Sequence, residues 1–511
     1  MSNQHEELIE IGIGDDIEAN LASWEPAWKP TWKPATQARL RTKRGLYVTT
    51  SLVWRIMSPF WPKSAPGPEK LRKTAYLDGL RGFAALLVYI HHHQLWAHEG
   101  THQNHLFENG FGYDGHYHFA ALPGVRLFFT GGHYAVSTFF VISGYVLSTK
   151  PLSLIQEREH VKLGDNLASA LFRRWLRLFI PLIVTTFVYM SSWHALDLWV
   201  CGAEPKGKWL DEVWWWYLEL KNFSFVFKEG GLPWFTYNFH LWSIPIEFRG
   251  SIVIYTCLLA FSRISKNARL WCQCALIFYF MYITDAWYCA LFISGMLMCD
   301  LDLLAAKQQL PLALTKLEPY KKFIYYHLLV IGFYLGGVPS LNQDVDHLSR
   351  QRGWYYLSLL KPQAVFDYKW FYLFFAANFL VAAIPRVRCL KGFFETRFCQ
   401  YLGRISFALY LVHGPVLWTI GDRLYTSTGW HQETQLINLH HWANKMELPK
   451  AGPLGMELSF LVPHFVLFPL TIWVAEIVTR LVDEPSVKFA QWLYQRMLPA
   501  APAKEARSVK E

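Results

Sequence analysis

The sequence predicts an all-α fold, a polytopic membrane helical bundle of about ten transmembrane helices. Two observations carry that prediction. The 511 residues are 52% hydrophobic and 17% aromatic, with only 17% charged, outside the usage of ordinary soluble domains. Apolar runs of membrane-spanning length also recur along the chain, and the length suits one large bundle better than several soluble domains. A net charge of +10 would suit nucleic acid. Here, however, lysine and arginine fall mainly between apolar segments, as the positive-inside rule produces. Membrane lipids are the expected surroundings, and no nucleic-acid partner is expected.

Residues 1–73 read as a cytoplasmic N-terminal tail. An acidic start gives way to Trp24-Glu-Pro-Ala-Trp-Lys-Pro-Thr-Trp-Lys-Pro34, whose prolines exclude a long helix and favour extended chain. The basic run Arg39-Leu-Arg-Thr-Lys-Arg44 precedes a moderately apolar stretch at 46–61, suited to lying on an anionic lipid surface. Residues 1–45 are expected to be disordered. No signal-peptide pattern stands at the start, so the first membrane helix is expected to act as the insertion signal.

Ten spans are expected at roughly 77–96, 127–149, 177–198, 240–262, 270–283, 285–300, 322–339, 367–385, 399–421 and 457–482. Basic clusters at 70–73, 150–177, 263–269, 307–322, 386–397 and after Arg480 occupy alternate loops, while 97–125 holds no lysine or arginine. Both termini are therefore expected in the cytoplasm. The transmembrane domain is placed at 74–486, with 487–511 as a cytoplasmic C-terminal tail. No internal repeat of the kind common in transporters is visible. Five of the eight cysteines (Cys257, Cys272, Cys274, Cys289 and Cys299) lie in or beside apolar segments, and Cys201 alone falls in an expected non-cytoplasmic loop. A disulfide framework is not indicated, and Cys272-Gln-Cys274 lacks zinc-knuckle spacing. The endoplasmic reticulum or plasma membrane is the expected location.

Polar residues inside apolar sequence mark candidate sites. The first span reads Tyr76-Leu-Asp-Gly-Leu-Arg-Gly-Phe-Ala-Ala-Leu-Leu-Val-Tyr-Ile-His-His-His93. Eleven helical steps from Arg81 to His92 make nearly three turns, so the two share a face roughly 16 Å apart, while His91 and His93 are each rotated by about 100°. Either Arg81 snorkels to the surface with the histidines at the far interface, or the pair is functional. The second span contains Ser143 and Gly144, small residues that suit close helix packing. Arg174 and Arg177 share a face before the third span; they could grip a phosphate-rich ligand or simply flank the membrane. In His240-Leu-Trp-Ser-Ile-Pro-Ile-Glu247, the carboxylate falls about 10 Å into the helix on nearly the face of His240, protonated, paired or catalytic. Pro245 is expected to open the turn near it. His413 lies deep in the ninth span, where it either packs against a neighbouring helix or serves a site. Asp483-Glu-Pro485 closes the last span, suited to a structural salt bridge.

Taken together, Asp78-Gly-Leu-Arg-Gly-Phe-Ala-Ala, Phe139-Phe-Val-Ile-Ser-Gly-Tyr, Arg174-Trp-Leu-Arg-Leu, Leu241-Trp-Ser-Ile-Pro-Ile-Glu247 and Leu402-Gly-Arg-Ile-Ser-Phe-Ala-Leu-Tyr-Leu-Val-His413 make the chain resemble the acyltransferase 3 family from about residue 74 to 486. Those are membrane proteins of about ten helices that acylate hydroxyl groups, commonly by O-acetylation. The resemblance implies that Arg81 and His92 match the family's arginine–histidine pair. Arg174 and Arg177 match its Arg-x-x-Arg element on the acyl-CoA side, Glu247 its acidic residue, and His413 its late histidine. Ala135-Val-Ser137 and Pro245 depart from the usual Gly-Val-Asp and Leu-Ser-Val-Glu, which bears on the shape of the acceptor pocket more than on the chemistry.

On this reading His92, Arg81 and Glu247 are catalytic, and Arg174, Arg177, His240 and His413 bind substrate. A histidine takes the acceptor's proton as its hydroxyl attacks a thioester; a carboxylate could hold the imidazole tautomer, and arginine could neutralise CoA phosphates or the oxyanion. A covalent acyl-histidine is equally open. No cofactor and no metal are expected to be bound; acyl-CoA, with acetyl-CoA foremost, is the co-substrate, and the acceptor is a hydroxyl-bearing small molecule, lipid or glycan. The alternative is a multi-pass transporter of metal or small solute, suggested by nine histidines between His91 and His133. That stretch lacks regular metal-ligand spacing.

Overall fold

The computed structural model describes residues 71–98, 121–201, 203–227, 233–340, 343–449 and 458–499. The expected tail features at 24–34, 39–44 and 46–61, most of the histidine-rich loop 97–125, and the end of the C-terminal tail lie outside the described residues.

Every regular element among the described residues is helical, as the apolar runs require. The principal helices are α1 (Ala75–His98), α2 (Gly132–Gln156), α3 (His160–Leu196), α4 (Trp209–Phe223), α5 (Ser243–Ala260), α6 (Lys266–Phe278), α7 (Trp287–Ala306), α8 (Lys321–Gly336), α9 (Tyr368–Ala383), α10 (Arg397–Val416), α11 (His464–Val478) and α12 (Glu484–Met497). Among the described residues, six helical segments are long and apolar enough to cross a membrane, not ten: Gly132–Gln156, His160–Leu196, Thr236–Ala260, Trp287–Ala306, Tyr368–Arg386 and Leu458–Met497. The other four expected spans are helical but fall short for identifiable reasons. Helix α6 has 13 residues before a π turn at Tyr279–Ile283, and α8 has 16. Helices α1 and α10 are long, but Asp78, Arg81 and three histidines dilute the first, and Arg397, Gln400, Arg404 and His413 the second.

The bundle has two apolar clusters. One is built around α2, α7 and α9, with Val141, Phe292 and Ala377 at its centre. The other is built around α1, α3, α5 and α10, with Val88, Phe179, Ile244 and Leu409. Large apolar side chains such as Val188, Leu259, Trp271, Val330 and Phe465 point outward, an arrangement that suits lipid better than water. Gly144 fits its expected packing role, for a Cβ there would meet the Phe292 carbonyl of α7 at 2.0 Å. Ser143 has a different role: it donates a hydrogen bond to Glu247.

Helices α1 and α10 cross most closely at paired glycines. A Cβ on Gly82 would lie 2.2 Å from the Gly403 nitrogen, and one on Gly403 would lie 2.5 Å from the Asp78 carbonyl oxygen. That backbone-to-backbone approach sets the register of the two helices that carry His92 and His413. Near the same end, charged groups pair across helices. Arg269 of α6 forks onto Asp300 of α7 at 2.6 and 2.8 Å, and Arg386 pairs with Asp302 at 2.5 Å. Arg404 pairs with Glu476, and with Glu484 of the expected closing salt bridge. All eight cysteines are free thiols.

Candidate active site

Three histidines far apart in sequence meet inside the bundle. His92 comes from the last turns of α1, His413 from α10, and His240 from a 3-10 helix, Thr236–Trp242, that leads into α5. The path to His240 bends at Asn238, whose backbone is extended (φ −169°, ψ 86°). The fully buried Asn238 amide donates to the Leu411 carbonyl of α10 at 3.1 Å, and the Tyr410 hydroxyl donates to the His240 carbonyl. Two α10 contacts thus fix the segment that carries His240. The expected opening at Pro245 does not occur there, because Pro245 lies in the first turn of α5, where a proline removes no intrahelical bond.

The three imidazoles lie nearly parallel. His92 stacks on His240 with ring centroids 3.6 Å apart, and His413 lies 4.9 and 5.0 Å from the two. His240 and His413 are buried, whereas His92 keeps an accessible part. Gly414 makes room for this arrangement: a Cβ there would stand 2.9 Å from His240 Nδ1 and 2.8 Å from the Trp418 ring.

The hydrogen bonds assign the tautomers. His413 Nδ1 lies 3.3 Å from the Leu409 carbonyl, so Nδ1 carries the proton and Nε2 offers a lone pair. His413 Nε2 lies 2.9 Å from His92 Nδ1, which must then donate. His92 Nε2 is left with a lone pair, the atom a general base uses. The side chain that orients His92 is therefore a histidine. The carboxylate considered for that role, Glu247, instead receives hydrogen bonds from Ser143 at 2.5 Å and from Arg174.

The arginines form a second layer, offset toward the other end of α1 and α5 by about 10–16 Å of helix. Arg81 donates to the Gly403 carbonyl and to Ser406, each at 3.1 Å, and pairs with Asp78 at 3.2 Å. Its side chain remains 39% exposed, so it stays at a rim while the histidines are drawn into the bundle. Of the pair, Arg81 keeps an exposed side chain, and His92 meets His413 and His240 between helices. Arg174 also donates to Ser251 at 2.8 Å. Arg177 lies within electrostatic reach of Arg174, Arg81 and Asp483. The structure thus brings His92, His240 and His413 together, and separately Arg174, Glu247, Arg177 and Arg81.

His91 and His93 turn away, as the helical geometry requires. His91 Nδ1 accepts from the Gly132 amide at 3.2 Å, and His93 Nδ1 lies 2.9 Å from the Tyr425 hydroxyl. Tyr425, His464 and Tyr89 continue that contact as a part-buried chain at 3.3 and 3.0 Å. Sequence reading missed Asn238, Tyr410 and Gly414 as determinants of the site. Tyr410 and Gly414 flank His413 in the ninth span, a signal that could have flagged them; for Asn238 there was none. Sequence spacing also gave no metal site, yet His92, His240 and His413 each offer a ring nitrogen within 4.8 Å of the others.

Comparison with known proteins places the chain among acyltransferases. Residues 74–478 match the family described as Acyltransferase domain. The chain is 30% identical over 487 residues to O-acetyltransferase PaAT-1 of Phomopsis amygdali, covering 87% of this chain and 89% of that protein. It is 22% identical to acyltransferase clz18 of Cochliobolus lunatus and to acyltransferase R4 of Phoma sp. (strain ATCC 20986 / MF5453), covering 84% of this chain and 97% of each relative. No solved structure matches the chain.

Proposed function

Since the chain belongs to the acyltransferase family and is an acyl-transfer enzyme, we propose that it is an integral membrane O-acetyltransferase using acetyl-CoA as donor. The acceptor is a hydroxyl of a lipid, carbohydrate or hydroxylated natural product. Acetyl is favoured because the relative at 30% identity is an O-acetyltransferase. The observation that carries the reading is the hydrogen bond from His92 to His413 inside a buried histidine layer.

In this mechanism Arg177, Arg174 and Arg81 attract the CoA phosphates at the rim, and the pantetheine arm reaches from there to the histidines. Glu247 holds Arg174 in place. The acceptor hydroxyl attacks the thioester carbonyl while its proton passes to His92 Nε2. His413 Nε2 supports the imidazolium through the Nδ1–H of His92, and His240 stacks against the ring to fix its plane. Collapse of the tetrahedral intermediate breaks the C–S bond, and the proton on His92 passes to the departing thiolate. The products are the ester and free CoA. Residues 74–486 form the catalytic domain, flanked by cytoplasmic tails at 1–73 and 487–511, in the endoplasmic reticulum or plasma membrane.

The test uses purified protein in nanodiscs with radiolabelled acetyl-CoA and extracts of candidate acceptors, wild type beside His92→Ala. Acceptor labelling that needs His92 is the expected result. Label retained on wild-type protein would move the mechanism to an acyl-histidine intermediate. No thioester consumption with any acyl-CoA would overturn the acetyl-CoA reading.

A further inference from the structure

Three stacked imidazoles with no carboxylate among their described contacts are unusual for a proton-transfer site alone. His413 donates its Nδ1–H to the Leu409 carbonyl, which leaves Nε2 facing His92 and His240. That is the support a metal-binding histidine receives: one ring nitrogen anchored to a backbone carbonyl, the other free to ligate. His240 adds an independent sign. Its side chain is only 5% exposed, and its Nδ1 is buried with no hydrogen-bond partner. A buried ring nitrogen left unpaired has a cost, which a bound ligand removes.

We propose that His92, His240 and His413 form a site for a divalent transition metal, with Zn²⁺ the best fit, and that filling it withdraws His92 from proton transfer. The second half rests on the acyl-transfer reading; the site itself does not. Three imidazoles suit Zn²⁺, whose bonds to histidine nitrogen are about 2.0–2.1 Å. Tetrahedral ligation at that length sets nitrogens roughly 3.4 Å apart. The ligand atoms already lie within 4.8 Å of one another; to ligate, the 2.9 Å contact between His92 and His413 opens, and the stacked His92 and His240 rings turn out of parallel so that each aims a nitrogen at the ion. No carboxylate joins the set, which disfavours Mg²⁺ and Ca²⁺. A fourth position is left for a water molecule or substrate atom, and His92 is the member of the set that is not fully buried. On loading, the proton on His92 Nδ1 passes through solvent to His92 Nε2, so the neutral ring ligates through Nδ1 beside His413 Nε2, and the lone pair that served as base is occupied by that proton.

The experiment uses the full chain without a histidine tag, in detergent, equilibrated with Zn²⁺ and dialysed. X-ray absorption at the zinc edge counts the ligands and needs no variant. One Zn²⁺ per chain with three imidazoles and one light fourth ligand is expected; sulfur ligands, or fewer than three imidazoles, would overturn the site. Titration should then show affinity lowered about tenfold or more in His240→Gln and His413→Gln, and unchanged in His464→Gln. Equal affinity in all three places the ion elsewhere and rejects the proposal. Zn²⁺ should inhibit acetyl transfer with the affinity seen in binding, and a chelator should reverse it; turnover unaffected at full occupancy would overturn the withdrawal of His92. Metal-free protein that never turns over would sink the acyl-transfer reading instead, while the absorption spectrum still judges the site.

Discussion

His92 and His413 lie 321 residues apart in sequence and 2.9 Å apart in space, Nδ1 to Nε2. Removing either partner leaves a different defect. His92→Ala removes the base, and kcat should fall by roughly 10²–10⁴-fold. His413→Ala keeps the base but frees its orientation, so kcat should fall by about 10–100-fold with the KM for acetyl-CoA nearly unchanged. Steady-state kinetics in nanodiscs separates the two, and equal KM increases in both variants would count against an orienting role. His91→Ala and His93→Ala should disturb kcat far less, since their partners are Gly132 and Tyr425.

Arg177 and Arg174 should differ despite their shared face. Arg177→Ala should raise the KM for acyl-CoA by about tenfold and leave the acceptor KM alone, as loss of a phosphate contact does. Arg174→Ala takes the ion-pair partner from a part-buried Glu247, so it should also lower stability, by about 1–3 kcal/mol. Thermal unfolding in detergent reports the second effect, and matching melting temperatures would show that the Arg174–Glu247 pair contributes little.

Gly414→Ala tests the packing of the histidine layer. The new methyl group would press on His240 Nδ1 and on Trp418. Overpacking of this kind costs about 1–3 kcal/mol, so the variant should fold but lose at least about tenfold in turnover. Full activity would mean that the stacking of His240 on His92 is dispensable.

Asp300 offers a test remote from the chemistry. It accepts two hydrogen bonds from Arg269, one from Gln273 at 3.1 Å and one from Gln156 at 3.0 Å, fully buried. Asp300→Ala strands the Arg269 charge and should destabilise the bundle by about 3–5 kcal/mol, read as reduced yield and an earlier unfolding transition.

The sequence made the helices legible and left their contacts hidden. Apolar runs located the helical segments because spanning helices need unbroken hydrophobic length. The count of spans failed partly because α1 and α10 carry charged and histidine residues that lower their hydropathy, Arg81, His92 and His413 of the candidate site among them. Helical periodicity placed His92 apart from His91 and His93, since that relation is internal to one helix. It could not tell whether Glu247 meets His92 or Arg174, because that choice depends on the register between helices. The register depends on glycine contacts such as Gly82 against Gly403, and on the bend at Asn238, neither of which has a periodic signature.

The distance in sequence between His92 and His413 also sets a schedule for biogenesis. At roughly 5–20 residues per second, about 15–60 s separate synthesis of the two partners. Throughout that interval α1 has been made, while Gly403, Ser406 and His413, which later receive its arginine and histidine, have not. A polar first helix without its partner is poorly held by lipid alone. A chain that stops before α10 therefore leaves Arg81 and His92 without these partners, and quality control can recognise it by that unmet polarity well before any question of catalysis arises.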